Sequence, residues 1–130
     1  MSLRWLLVLG SDADDQAPMD AAMAALHQLG RVQALTPARR FRDDDGSGRW
    51  FTNRLVRLDA DAGRDALRGE LHAVEREIGR SAQSDRVPID IDLLAGGDRE
   101  AWRLDPHALE KGEHLRPHVL ALLDEAAISL

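Results

Sequence analysis

The sequence predicts an α+β fold in which helices pack against an antiparallel sheet. Short segments alternate apolar and polar residues with period two, whereas longer segments repeat apolar residues every three to four positions. At 130 residues, of which 44% are hydrophobic, the chain is expected to form one domain over 1–130 with a core of its own. It has neither a Walker glycine-lysine loop nor a G-x-G-x-x-G motif, so a bound nucleotide would need another architecture.

The predicted elements follow the order β-α-β-β-α-β-α, which resembles a ferredoxin-like sheet with helices packed against it. Strands are predicted over 4–9, 31–41, 50–59 and 87–94, and helices over 18–29, 63–78 and 115–127. Gly10 is expected to end the first strand, while Pro18 and Gly30 bound the first helix. Pro37 weakens the later part of the second strand. The polar segment 42–49 is either a lid beside a pocket or a plain hairpin connection.

The second half of the chain begins with the most regular helical pattern. Its apolar stripe repeats at helical spacing and Gly79 is the expected C-cap: Leu67, Leu71, Val74, Ile78. His107 follows a proline in a predicted loop, a position less easily explained by packing than a helical histidine. His114 and His118 are expected at the surface or at a helix cap. Pro117 is expected in the first turn of the last helix.

Composition excludes several classes of function. The net charge of −6 argues against general nucleic-acid binding, and the absence of cysteine excludes disulfides and thiolate metal sites. No apolar run reaches the roughly 18 residues of a membrane span, and the first residues lead directly into a strand pattern. We therefore expect a cytoplasmic protein that contacts neither membrane nor nucleic acid, as a monomer or weak dimer.

The segment 87–94 carries the main chemical signal. Asp90 and Asp92 share one face of the predicted strand, and the isoleucines beside them share the other. Residues two apart on a strand are about 6.5–7 Å apart, so two carboxylates can converge on one hard cation or bridge two. Oxygen ligands without thiols favour magnesium. The alternative is the ordinary polar face of a half-buried strand, although aspartate is unfavourable in strands.

Two further groups are candidates for binding. Phe51 and Asn53 lie two apart and face the same side, where a ring and an amide can hold a flat heterocycle. An ordinary pair of strand residues is the alternative. Asp12, Asp14 and Asp15 resemble a calcium loop only superficially, and we expect them to be solvated charges in a turn before a helix.

Five short motifs, taken in order, resemble the 6-hydroxymethyl-7,8-dihydropterin pyrophosphokinase family over nearly the whole chain. The motifs are Gly10-Ser11-Asp12, Phe51-Thr52-Asn53, Glu75-Arg76-Glu77-Ile78-Gly79-Arg80, Ile89-Asp90-Ile91-Asp92-Leu93-Leu94 and Leu104-Asp105-Pro106-His107. The family has Gly-Ser-Asn, an aromatic residue two before asparagine, Glu-x-x-x-Gly-Arg, Leu-Asp-Leu-Asp-Ile-Leu and Pro-His at these places.

The resemblance implies Mg²⁺-dependent transfer of pyrophosphate from ATP to the hydroxymethyl group of a pterin, giving AMP. It implies that Asp90 and Asp92 hold two magnesium ions and that Asp90 also borders the pterin. It places Asn53 at the pterin edge and Phe51 along or against the ring. The residues it assigns to the nucleotide are Arg80, Arg86, Ile91 and His107, and it gives Arg80 and His107 a catalytic role with the two aspartates.

The chain also departs from the family pattern. Val87-Pro88 replaces the Arg-Thr that precedes the aspartates in the family, and Arg86 lies one place off. The segment Gly112-Glu113-His114-Leu115 has no clean match to the Arg-Gly-Phe whose phenylalanine stacks on the pterin. Two alternatives to an active enzyme therefore stay open. One is a paralogue that binds nucleotide, pterin or a protein without turnover, and the other is an interaction domain that shares only the fold.

Overall fold

The computed structural model describes residues 3–43, 46–80, 88–97 and 101–130. Six strands are present: β1 (Leu3–Ser11), β2 (Arg31–Ala34), β3 (Arg39–Arg42), β4 (Trp50–Ala60), β5 (Asp90–Gly97) and β6 (Trp102–Leu104). The helices are α1 (Ala17–His27), α2 (Arg64–Arg80), α3 (Pro106–Lys111) and α4 (Pro117–Glu125), with a 3₁₀ turn at Glu113–Leu115. None of the helices in the described ranges is long and apolar enough to cross a membrane.

The strands form one antiparallel sheet in the order β2-β4-β1-β5-β6, and β3 also pairs with β4. The central strand β1 therefore lies between β4 and β5. With β2 and β3 extending the same side, this is the strand order of a ferredoxin-like sheet. The predicted α+β class is confirmed.

Helices cover both faces of the sheet. Alternate residues of β1, including Leu7 and Leu9, pack with α1 and α2, whereas Leu6 and Val8 pack with α3 and α4. A strand covered on both faces has no solvent side, which explains why β1 is a continuous apolar run rather than an alternating one. The strand also continues through Gly10 to Ser11, so the prediction that it ends at Gly10 is wrong.

The predicted strand over 31–41 is two strands separated by a break. Thr36 leaves the ladder and its Oγ1 accepts the backbone N–H of Leu55 at 3.1 Å. Pro37 has no N–H to continue the pairing. The chain then rejoins β4 as β3, and beside this pairing the Asp43 N–H donates to the Arg49 carbonyl.

In the second half of the chain, the predicted C-cap at Gly79 and the predicted loop at His107 are wrong. Gly79 lies inside α2, which continues to Arg80, and so is not its C-cap. The short helix α3 was not expected, and His107 lies in its first turn rather than in a loop. The last helix begins at Pro117 after a 3₁₀ turn, and Asp105 supplies the N-cap that starts α3.

Candidate active site

One row of residues crosses the sheet at the end of β1. Gly10 pairs with Asn53 on β4 and with Asp90 on β5, so the amide and the carboxyl flank a residue without a side chain. A Cβ at Gly10 would lie 2.9 Å from Asn53 Oδ1. Glycine therefore leaves space between the two polar groups on the face that α4 covers further along the strands.

A pocket of about 230 Å³ opens over this row. The strand residues that line it are Val8, Gly10, Phe41, Arg42, Phe51, Asn53, Asp90 and Asp92, and the other lining residues are Asp43, Arg116 and His118. The rings of Phe41 and His118 lie 6.1 Å apart between centroids and are tilted by 55°. Aromatic walls with a buried amide and carboxylates suit a flat, hydrogen-bonding heterocycle.

A second pocket of about 200 Å³ lies along the edge of β5. Among the described residues, the short strand β6 pairs with Ala95 to Gly97 and not with the earlier part of β5. There the N–H of Ile91 donates to Glu75 Oε2 at 2.9 Å. The remaining walls come from α2 and from the segment after β6: Arg68, Leu71, His72, Glu75, Asp105, His107, Ala108, Lys111 and Glu113. Basic and imidazole groups there can meet phosphate oxygens.

Asp90 and Asp92 line both pockets and form the boundary between them. Burial raises the pKa of Asp92 to about 8, and the negative charges of Asp90 and Glu113 add to the effect. Burial likewise raises the pKa of Glu75 to about 7, partly opposed by its hydrogen bond from Ile91 and supported by Asp90. Carboxylates crowded in this way favour a bound cation, because a cation relieves their mutual repulsion.

The donor set fits magnesium. Within the described ranges, no group of three or more histidine, aspartate or glutamate side chains is arranged to hold a metal ion. Magnesium is commonly bound by one or two carboxylates and keeps its other positions for water and substrate phosphates. Asp90 and Asp92 supply such a pair, with a pocket on either side for substrate oxygens.

The structure brings most of the predicted site residues together. Phe51 and Asn53 lie with the two aspartates in the first pocket, and Ile91 and His107 lie with them in the second. Arg80 is the last residue of α2, and the predicted nucleotide residue Arg86 lies outside the described residues. The expectation for Asp12 is wrong: it is buried rather than solvated, and its Oδ2 pairs with Arg49 at 2.6 Å.

Sequence reasoning missed several residues of the site. Glu75 lines the second pocket but is not among the predicted site residues, although it begins the Glu-x-x-x-Gly-Arg motif that ends at Arg80. His118 lies in the first turn of α4, in keeping with its expected surface or cap position, and it also lines the first pocket beside Phe41, a role that was not predicted. The two rings are 77 positions apart in the chain, so no local pattern links them.

The fold and the carboxylate pair between two pockets fit the class of metal-assisted group-transfer proteins that hold two substrates side by side. The model of the 7,8-dihydro-6-hydroxymethylpterin-pyrophosphokinase (HPPK) family matches residues 6–127, and the chain belongs to this family. The family carries out pyrophosphoryl transfer in folate biosynthesis, with ATP as co-substrate. The resemblance is therefore not confined to the fold. No curated protein matches the chain.

Proposed function

We propose that this chain is an active, Mg²⁺-dependent ATP pyrophosphokinase acting on 6-hydroxymethyl-7,8-dihydropterin or a closely related pterin. The observation that carries the proposal is the position of Asp90 and Asp92, which line both pockets at once. Asp90 and Asp92 would hold a metal between the two pockets, where its charge would favour transfer of a phosphate group. Family membership supports the same reaction.

The first pocket suits the pterin. Asn53 is only 6% exposed, and its amide can exchange hydrogen bonds with the edge of a pterin ring. Phe51 lines the same pocket, and so does the Phe41–His118 ring pair. This ring pair supplies aromatic surface to the first pocket, whereas the segment 112–115 has no phenylalanine, tyrosine or tryptophan.

The second pocket suits ATP. Arg68, His72, His107 and Lys111 line it and can contact phosphate oxygens. Ile91 also lines it, on the part of β5 that does not pair with β6. We assign Arg80 and Arg86 to the same nucleotide on the strength of the family motif alone.

In the proposed reaction, the pterin hydroxymethyl oxygen forms a bond to the β-phosphorus of ATP. The bond from that phosphorus to the oxygen bridging the α and β positions breaks, AMP leaves, and the hydroxyl proton is released. Asp90 and Asp92 would hold Mg²⁺, which would supply positive charge against the phosphate oxygens. Asn53 and His107 would orient the two substrates so that acceptor and phosphorus meet.

The test is AMP release by purified protein supplied with ATP, pterin and Mg²⁺. Asp90→Asn and Asp92→Asn should each lower kcat/KM roughly 100-fold or more, because loss of metal binding removes several kcal/mol of charge stabilisation. Asp59→Asn is the matched control, since Asp59 lies on β4 and pairs with Arg57 away from both pockets. Normal turnover in both aspartate variants would contradict the assignment.

The second candidate is a paralogue that binds its ligands without turnover. Val87-Pro88 replaces the Arg-Thr of the family, and this favours the paralogue because an arginine that could bind phosphate oxygens is lost. Calorimetric titration with a non-hydrolysable ATP analogue separates the two candidates. Magnesium-dependent binding of the analogue, followed by binding of pterin, with no AMP released when ATP itself is supplied, would establish the paralogue.

A further inference from the structure

A buried carboxylate outside the metal pair connects the two walls of the second pocket. Asp105 is 5% exposed and accepts two hydrogen bonds from Arg64, from Nε at 2.5 Å and from Nη2 at 3.2 Å. Its Oδ2 also accepts the N–H of His107 at 3.1 Å, which caps α3. Its own N–H donates to the carbonyl of Leu94 on β5 at 2.8 Å.

These bonds connect elements that are distant in sequence. Arg64 begins α2, and the next turns of that helix carry pocket residues such as Arg68 and Glu75. Asp105 precedes α3, which carries His107 and Lys111. The ion pair therefore fixes the distance between the α2 wall and the α3 wall. The bond to Leu94 fixes both against the strand of the metal-binding aspartates.

The charge of Asp105 is maintained by its partners. Burial alone opposes ionisation, but hydrogen bonds and charge from Arg64, with the N–H groups of His107 and Ala108, bring the pKa of Asp105 below its usual value. A carboxylate held by a guanidinium fork and backbone N–H groups has a fixed orientation. Such a group is suited to positioning neighbouring side chains, since its own rotamer is constrained.

We propose that Asp105 is a positioning residue for the nucleotide pocket, acting through Arg64 to set the width of the pocket and through the α3 cap to place His107. The inference rests on the proposed function, because it assigns ATP to the second pocket. The Arg64–Asp105 ion pair joins α2 to the segment after β6, and metal binding by the two strand aspartates does not require it.

Loss of the Arg64–Asp105 ion pair should affect ATP binding and pterin binding differently. The described residues lining the first pocket include none from α2 or α3. A change in the separation of these helices should therefore weaken ATP binding and leave pterin binding unaltered. A merely structural role would lower thermal stability without separating the two KM values.

The experiment compares Asp105→Asn, Arg64→Met and the double variant. Asparagine caps helices about as well as aspartate, so Asp105→Asn removes the charge pair and keeps the cap. We expect the KM for ATP to rise about 5- to 20-fold in each single variant, with the KM for pterin and kcat within about threefold of the parent values. The double variant should be no worse than the poorer single variant, because the two residues act as one unit.

Asp59→Asn provides the matched control, since it removes a fork-like pair with Arg57 at 2.8 and 3.0 Å outside both pockets. Its kinetic constants should stay within twofold of the parent values. Circular dichroism melting curves verify that every variant is folded. The inference is overturned if folded Asp105→Asn keeps the parent KM for ATP, or if both KM values rise together.

A direct binding measurement distinguishes failure of the positioning role of Asp105 from failure of the proposed function. The Kd of a non-hydrolysable ATP analogue with Mg²⁺ should rise by the same factor as the KM for ATP. If the parent protein binds the analogue and Asp105→Asn binds it equally well, only the positioning role fails. If the parent protein neither binds the analogue nor releases AMP, the proposed function fails and this inference with it.

Discussion

Replacing Gly10 by alanine tests whether the bare position between Asn53 and Asp90 serves the substrate. The new Cβ would lie 2.9 Å from Asn53 Oδ1, closer than Cβ atoms approach other heavy atoms in real structures, so the amide must move. Asn53 is buried and cannot swing freely into solvent. Gly10 also lines the first pocket, so the displacement occurs where we place the pterin edge.

The size of the effect follows from the displacement. Moving a side chain about 30° from its rotamer costs roughly 0.5–1.5 kcal/mol, and 1.4 kcal/mol is a factor of about ten in affinity. We expect the KM for pterin to rise about 2- to 10-fold, with the KM for ATP within twofold, because no residue of the second pocket is displaced. Steady-state AMP release with each substrate varied in turn measures both constants.

Gly96→Ala is the matched comparison on the neighbouring strand. Its Cβ would lie 2.6 Å from Cζ3 of Trp5, on the core side and away from both pockets. Overpacking of this kind typically costs about 1–3 kcal/mol of stability, so we expect a lower melting temperature with unchanged KM values. An unchanged pterin KM in folded Gly10→Ala, or equal KM shifts in both variants, would refute the reasoning.

Three further outcomes are expected. The pKa of Asp92 is raised to about 8 in the fold, so the folded state retains its proton more strongly than the unfolded chain does. Without metal, the free energy of unfolding should therefore fall as the pH rises from about 4 to 8. Asp92→Asn should reduce this slope in melting curves. The pKa of Asp105 is lowered, so the stability that its charge contributes is present above about pH 4 and is lost as acid protonates it. Asp105→Asn should therefore be less stable than the parent protein at pH 7, and melting curves should show this difference shrinking as the pH falls below about 4. Chelation by EDTA should stop AMP release, and added Mg²⁺ should restore it.

Local patterns predicted the parts of the fold that depend on local periodicity. The central elements β1, α1, β4 and α2 have apolar residues at strand or helix spacing, and the structure forms them close to the expected positions. The short helix α3 was missed because it depends on the Asp105 cap and on packing of Ala108 rather than on a long apolar stripe. The division of 31–41 into two strands depends on how Thr36 meets β4.

In the candidate site too, local spacing predicts some residues, whereas the position of others depends on how the helices pack. Asp90 with Asp92, and Phe51 with Asn53, are spaced two apart on single strands, so the sequence alone places each pair on one face. The position of His118 in the pocket wall depends on the packing of α4 against the sheet. The single domain over 1–130, the monomeric or weakly dimeric state and the cytoplasmic location stay predictions from composition.

The most direct measurement of the central claim is AMP formation by the purified chain, with ATP, hydroxymethyl dihydropterin and Mg²⁺ each omitted in turn. If Asp90 and Asp92 join two substrate pockets through a metal, AMP and the pyrophosphorylated pterin appear in equal amounts only when all three are present. AMP formed without pterin, or turnover that continues without Mg²⁺, would contradict the claim.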